Sequence, residues 1–323
     1  MLSSNSPDGT PSGRTGGWPA AGPSGPRRFP LLPDQQEAAQ NWAEFGARTP
    51  TKPRFASAVV LLKDGPTGIQ TYLGFRRGVS PLGIVSFPGG SIEPADDDAL
   101  DWLGPSPAMW AKAMGMDDEG LARRHVVAAI RETFEETGIL LAGSDASSLV
   151  EGVQGPEWMK AREAVASQEK SFADMLAKRG LALRTDLLKP LMNWISPDFA
   201  HRRFNTRYFA AAAPVNQEPS VLTSKGVWGR WASAAELVAA REETTLGDEI
   251  GQPNTVGMKL TELMVPGGAI ILEKLAAARG CIAYLNHKRA VKAYQARLVE
   301  EDGLFQLEVD AAPRAEELPG RER

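Results

Sequence analysis

The chain has 323 residues, of which 42% are hydrophobic and 24% charged, and it carries a formal net charge of −4. That is ordinary globular composition, long enough to bury a sizeable core as one large domain or two small ones. With no long basic run, electrostatics give no case for nucleic acid or an anionic membrane as the main partner, and no apolar run approaches the roughly 18–20 residues of a membrane span.

The first 30 residues are rich in Gly, Pro and Ser and are expected to be disordered. They lack the apolar core of a secretory signal. With a single cysteine, Cys281, excluding an intrachain disulfide framework, the expected compartment is the cytoplasm. Asp34 is placed to cap a short helix over 35–45. "FASAVVLLK" (55–63) and "IQTYLGFRR" (69–77) are β-branched and aromatic runs around "DGPTG", the pattern of a hairpin. "GIVSFPGG" (83–90) continues the strand-and-turn character, and 96–116 reads as short helices broken by Pro105 and Pro107. A long helix follows from about Asp118 to Thr137, stopped by Gly138.

Beyond it, 155–180 reads as one or two exposed helices, and strands are expected over 192–196, 207–215 and 226–232. Helices follow over 233–243 and 266–279, and 294–309 reads as a terminal hairpin. The organisation expected is a disordered tail (1–30), one α/β domain over 31–285 with insertions at about 97–122 and 144–190, and a C-terminal hairpin and tail (286–323).

The segment "AAIRETFEETGI" (128–139) crowds three glutamates and an arginine into six residues. On a helical wheel of about 100° per residue, Val127, Ile130 and Phe134 share one side. Glu132, Glu135 and Glu136 share the opposite side, facing away from the core. Glu132 and Glu136 form a like-charge i, i+4 pair that costs about 0.2–0.5 kcal/mol. A bound hard cation reverses that sign, because carboxylate oxygens suit Mg2+ or Mn2+. Arg131 reaches Glu135 one turn on and can orient it. A solvated helix face with an Arg–Glu pair is the competing reading.

Upstream, "SFPGGSIEPADDD" (86–98) sets Pro88-Gly89-Gly90 after a strand, where glycine leaves carbonyls open to a cation and N–H groups open to a phosphate. Taken together, Gly90, Asp96, Arg131, Glu132, Glu135, Glu136, Gly138 and Ile139 resemble the signature box of the Nudix hydrolase family. That box runs glycine, five residues, an acid, seven residues, then Arg-Glu-apolar-any-Glu-Glu-any-Gly-apolar. Asp96 stands where glutamate is usual and Thr133 where an apolar residue is usual. The larger departure is spacing: 34 residues separate Asp96 from Arg131, so 27 are extra. Such a split box resembles the branch that contains peroxisomal-type coenzyme A diphosphatases and bacterial relatives. "ASAVVLL" before the box and "RRFNTRYF" and "WASAAEL" after it support the likeness over about 55–280.

The resemblance implies an α/β/α sandwich with a mixed sheet. It implies a diphosphatase acting on a nucleoside diphosphate linked to another group, with Mg2+ or Mn2+ held by Glu132, Glu135, Glu136 and the Gly89 carbonyl. Glu135 and Arg131 would be the catalytic pair. Glu218, Glu236, Glu242, Glu243, Asp248 and Glu249 are alternative bases, and Lys225 stands where a downstream acid is common. Arg76, Arg77, Arg203 and Arg207 are candidates to grip phosphates. Gly83 followed by Phe87-Pro88-Gly89-Gly90 fits half of the coenzyme A pattern, whose arginine position holds Val79. Coenzyme A or an acyl-coenzyme A is therefore the leading substrate, with ADP-ribose, a dinucleoside polyphosphate or a non-catalytic nucleotide-sensing role as alternatives. The implied partner is a small molecule, with no nucleic acid and no membrane; a homodimer is compatible with it.

Overall fold

The computed structural model describes residues 26–32, 35–45, 49–77 and 82–310. Asp34, Val79 and most of the expected N-terminal tail lie outside the described residues. The chain opens with β1 (Arg27–Pro30), α1 (Gln36–Phe45) and the hairpin β2 (Arg54–Gly65) and β3 (Gly68–Phe75), followed by β4 (Val85–Ser86) and β5 (Gly89–Ser91). A 3-10 turn (Pro94–Asp97) leads to β6 (Trp102–Leu103), α2 (Pro107–Met114), the long α3 (Glu119–Thr137) and β7 (Ala142–Gly143). Then come α4 (Pro156–Ala166), α5 (Phe172–Ala177), β8 (Ala182–Arg184), β9 (Lys189–Ile195), β10 (Phe204–Ala212) and β11 (Gly229–Ser233). The chain continues with α6 (Ala234–Ala239), α7 (Thr245–Ile250), α8 (Leu260–Leu263), α9 (Pro266–Ala276) and α10 (Cys281–Asn286), and closes with the hairpin β12 (Lys292–Glu301) and β13 (Leu304–Val309).

The main sheet runs β1-β13-β12-β9-β10-β2-β3-β11, with β4 on β3 and β5 on β2. It is mixed: β2 pairs parallel with β10 and antiparallel with β3 and β5, and β9 pairs parallel with β12. Its centre is β2, whose residues 56–62 are buried without a break, the mark of a strand covered on both faces. The two-residue period then divides its side chains between two cores. Ala58, Val60 and Leu62 join the core under α1, α6, α8 and α9, while Val59 and Leu61 join the core under α2, α3, α4 and α5. The result is the expected α/β/α sandwich. β1 extends the sheet beyond the C-terminal hairpin through Arg27↔Val309 to Pro30↔Gln306. Residues 27–30, read as part of a disordered tail, are therefore a paired strand. No described helix is long and apolar enough to cross a membrane.

The two segments read as insertions fold together. Trp102 and Leu103 of the first pair in parallel with Leu183 and Arg184 of the second, and β7 closes a three-stranded side sheet. The hydroxyl of Thr185 donates to the Leu103 carbonyl at 2.8 Å, and Ser171 donates to Asp98 at 2.8 Å. The region 96–116, expected to be purely helical, includes a strand because its partner lies about 80 residues away, beyond any local signal.

Helix α3 begins where Asp118 accepts from the Leu121 N–H and ends where Gly138 adopts a left-handed φ of 78°, its N–H returning to the Phe134 carbonyl. Phe134 is fully buried, stacked against Trp158 of α4 and Phe172 of α5. Phe134→Ala should cost about 3–5 kcal/mol of stability, measured by urea unfolding. A loss below about 1 kcal/mol would mean that α4 and α5 do not depend on this ring.

Candidate functional site

Helix α3 crosses beside β5, and the crossing is close because β5 is built on glycine. Gly89 lies opposite Ala58 and Gly90 opposite Ser57 on β2. A Cβ on Gly90 would overlap the Glu132 carboxylate, and one on Gly89 would overlap the backbone of β2. The turn after β5 then brings Asp96 to Arg131. The guanidinium donates to both carboxylate oxygens, Nε to Oδ1 at 2.8 Å and Nη2 to Oδ2 at 3.1 Å, and Nη2 also donates to the Ser91 carbonyl at 2.9 Å. Both residues are buried, Asp96 at 1% and Arg131 at 2% exposure. The gap of 34 residues in sequence is closed by a two-point ion pair in space.

The remaining nitrogen of Arg131, Nη1, donates to Glu132 at 3.0 Å and to Glu135 at 2.9 Å. The other Glu135 oxygen is held by the Lys225 ammonium at 2.7 Å. Glu136 accepts from the Gly89 N–H at 3.1 Å and pairs with Arg76 at 3.0 Å. Arg76 also donates to the Ser86 hydroxyl at 2.6 Å and to the Gly89 carbonyl. Among the described residues, no three His, Cys, Asp or Glu side chains are already gathered as a metal cage. Each glutamate is instead held by a cation of the protein.

These acids do not lie on a solvated face. Glu132 and Glu135 are buried, and α3 is covered on nearly every side. Burial pushes the Glu132 carboxyl up to about 7, with Arg131 offsetting part of the effect. Burial raises Glu136 too, against the pull of Arg76. For Lys225 burial works against the charged form, yet Glu135 holds its pKa above the ordinary lysine value. Thr133, in place of an apolar residue, is fully buried and satisfied by donating to the Ala129 carbonyl at 2.7 Å.

The site thus brings together Arg131, Glu132, Glu135, Glu136, Gly89 and Arg76. Arg77 is exposed just beyond Arg76. Two of the arginines expected to grip phosphate are engaged elsewhere. Arg203 bonds Asp198 at 2.5 Å and the Thr51 carbonyl at 2.8 Å, stitching the β9–β10 turn. Arg207 lies under α3 and donates to the Met114 carbonyl at 2.9 Å, where burial lowers its pKa to about 10. Of the alternative bases, Glu242 pairs with Lys259, Glu249 with Arg230, and Asp248 accepts from Thr244. Lys225 is the site residue that sequence reading noticed only as a substitution. A charge opposite to the expected one gave no signal that it would enter the cluster.

This architecture has solved counterparts. A Nudix hydrolase from Alicyclobacillus acidocaldarius superimposes with a TM-score of 0.57 at 21% identity, over 74% of this chain and 98% of that one. The fold is the Nudix fold. A MutT protein from Bacillus halodurans (TM-score 0.35, 10% identity, 80% and 99% coverage) and a Nudix hydrolase from Nitrosomonas europaea (0.33, 15%, 73% and 98%) superimpose too loosely to carry weight. No family model and no curated protein matches the sequence.

Two predictions follow the buried charges. Asp96→Ala leaves the Arg131 guanidinium without its two-point partner and should cost about 3–5 kcal/mol, read by chemical unfolding. The second concerns pH. With its pKa raised from 4.5 to about 7, folded Glu132 keeps a proton that the unfolded chain has released. Stability contributed at low pH is therefore lost as pH rises through that window. In metal-free buffer the midpoint of thermal unfolding should fall between about pH 5 and 8, and Glu132→Gln should flatten the slope. An unchanged slope in that variant would remove Glu132 as its source.

Proposed function

We propose that this protein is a divalent-metal-dependent hydrolase that cleaves the diphosphate linkage of a nucleoside diphosphate derivative. One observation carries the reading: the buried Arg131–Asp96 pair fixes Glu132 and Glu135 beside Glu136, which accepts from the Gly89 N–H. The donor set fits a hard cation. It is all oxygen, its carboxylates are buried, and the Gly89 carbonyl together with Glu136 already holds one cationic group, Arg76.

Glu132, Glu135, Glu136 and the Gly89 carbonyl would hold Mg2+ or Mn2+. When bound, the ion supplies neutralisation of phosphate charge and a more acidic water. The protein's own part is positioning. Arg131 fixes the Glu132 and Glu135 carboxylates, so neither must reorganise during the reaction. Glu135, the base that the resemblance implies, has one oxygen on Arg131 and the other on Lys225, so it would take a proton from the attacking water in exchange for one of these partners. Arg76 reaches from the end of β3 into a cleft lined by Tyr72, Pro88, Lys225 and Trp228, where its planar fork suits a phosphate. Arg77 extends the same positive edge into solvent.

For the substrate we favour coenzyme A or an acyl-coenzyme A. Supporting this is the run from Gly83 to Gly90. Gly83 also has a backbone role, with a φ of 94° and a bridge to Met264, so the support comes from the pattern as a whole and not from this glycine alone. A second reading, a nucleotide-binding module without turnover, is favoured by the way Lys225 and Arg76 neutralise the glutamates. ADP-ribose and dinucleoside polyphosphates are the alternative substrates.

The test is to incubate the full chain and Mg2+ with coenzyme A, acyl-coenzyme A, ADP-ribose, NADH and diadenosine polyphosphates, and to identify products by mass spectrometry. Release of 4′-phosphopantetheine and 3′,5′-ADP is the expected result. The double variant Glu135→Gln, Glu136→Gln should lose turnover by at least about 1000-fold, the scale of losing ionised groups at such a centre, while remaining folded. Undiminished turnover in that variant sinks the mechanism, and tight binding without hydrolysis of any of these compounds would establish the module instead.

A further inference from the structure

Lys225 has no counterpart in the acid-plus-metal scheme just described. It sits in the loop before β11, and its ammonium lies 2.7 Å from Glu135, a carboxylate only 3% exposed. The other oxygen of Glu135 is bonded to Arg131 at 2.9 Å. Both oxygens of this glutamate are therefore occupied by cations that belong to the chain. Glu136 accepts from the Gly89 N–H and pairs with Arg76, which follows β3, also donates to the Gly89 carbonyl and lines the cleft. Glu132 has one oxygen on Arg131 and turns the rest of its carboxylate toward Gly90. The cluster is thus divided between Glu135, held by Arg131 and Lys225, and Glu136 with the Gly89 carbonyl, held by Arg76.

We propose that Lys225 takes the place of a second divalent ion, so that this centre binds one divalent ion, on Glu132, Glu136 and the Gly89 carbonyl, with the lysine fixed on Glu135. The proposal rests on the metal-dependent reading above and narrows its ligand set by removing Glu135. Three physical points carry it. A carboxylate oxygen in a 2.7 Å ion pair with a mostly shielded ammonium is a poor ligand, because a metal must first displace that charge. Asp96, Glu132, Glu135 and Glu136 face Arg131, Arg76 and Lys225. Glu93 adds a fifth carboxylate 3.8 Å from Arg131, so acids outnumber cations and the cluster favours a divalent ion, while the ammonium already on Glu135 takes the place and charge of another. Finally, an ammonium has three N–H donors, and Glu135 uses one. Lys225 also lines the cleft beside Arg76 and Trp228, where another donor can meet a phosphate oxygen. The lysine would then do the electrostatic work of a second ion at a fixed place, independent of metal concentration.

The experiment is a Mn2+ titration of the full chain, followed by electron paramagnetic resonance of free Mn2+ and by calorimetry. It compares the natural chain with Lys225→Met, Lys225→Glu and Lys225→Arg. Thermal unfolding of each variant checks that it is folded. Lys225 is about one-third exposed (30%), so these replacements need not disturb a core. The expected result is one ion per chain for the natural protein and for Lys225→Arg. Lys225→Met should gain a second ion, and Lys225→Glu should bind that second ion more tightly still. Two ions on the natural chain, or a single ion on folded Lys225→Met and Lys225→Glu, overturns the proposal and leaves the hydrolase reading standing. No ion on the natural chain at millimolar Mn2+ overturns the metal-dependent reading itself, and this proposal with it. Should Lys225→Met fail to fold, the count on the natural chain and on Lys225→Glu still decides.

Discussion

The rest of the structure depends on one buried guanidinium. Arg131 is almost wholly removed from water, and a charge so placed is tolerable only when every donor finds a partner. Its partners are Asp96, the Ser91 carbonyl, Glu132 and Glu135. Through them it fixes the turn after β5 to the middle of α3 and sets the spacing of the acids. Because the pairing is made across space, the chain between its two halves is free to lengthen. The intervening residues leave the site at Asp98 and return at the N-terminus of α3, so they are not needed to make the Arg131–Asp96 contact. Arg123, two turns earlier on the same helix, donates to the carbonyls of Asp96 and Asp98 and holds the departing strand of that insertion in place.

The second insertion contributes a similar device. Arg162 of α4 is buried and donates to the Glu135 carbonyl at 2.9 Å, and to the hydroxyl and carbonyl of Ser220 at 3.0 and 2.9 Å. It thereby ties the end of the carboxylate helix to the loop that carries Lys225. Burial lowers its pKa to about 10, still well above neutrality, so it remains charged. Since β6 of the first insertion pairs with β8 of the second, the two form one accessory layer, and a change in either is felt at both ends of α3.

Much of this was legible in the sequence wherever the signal is local. The caps of α3, the hairpin around "DGPTG" and the glycine turn follow from residue chemistry at fixed offsets. The burial of the glutamates did not follow. A helical wheel sees one apolar stripe and assigns the opposite face to water, whereas here β5, Arg76 and the loop that carries Lys225 supply cover from segments distant in sequence. The arginines show the same limit. Arg76 ends a strand at the mouth of the cleft, while Arg207 lies mid-strand between β2 and β9, its side chain on the face covered by α3. Both are arginines in β-rich runs, and only the register against neighbouring strands separates a residue poised at the site from one spent beneath a helix. His125 belongs to the same hidden set: burial beside Arg207 drives its pKa down to about 3, and Ser57 bonds its ring at 3.0 Å.

The charge pattern of the centre explains why such a costly arrangement is stable before any ion arrives. Carboxylates gathered this closely would repel one another strongly in a poorly solvated pocket. Interleaving Arg131, Arg76 and Lys225 offsets most of that repulsion and holds each acid in a defined direction. Adding one divalent ion to that set, under the proposed reading, makes the centre more positive by two charges. An anionic diphosphate is then attracted more strongly once the ion is in place, and Arg76, released from Glu136 and Gly89 by that same ion, has its fork free for the phosphate. Ordered binding would thus arise from charge balance alone, with no movement of α3 or of the sheet.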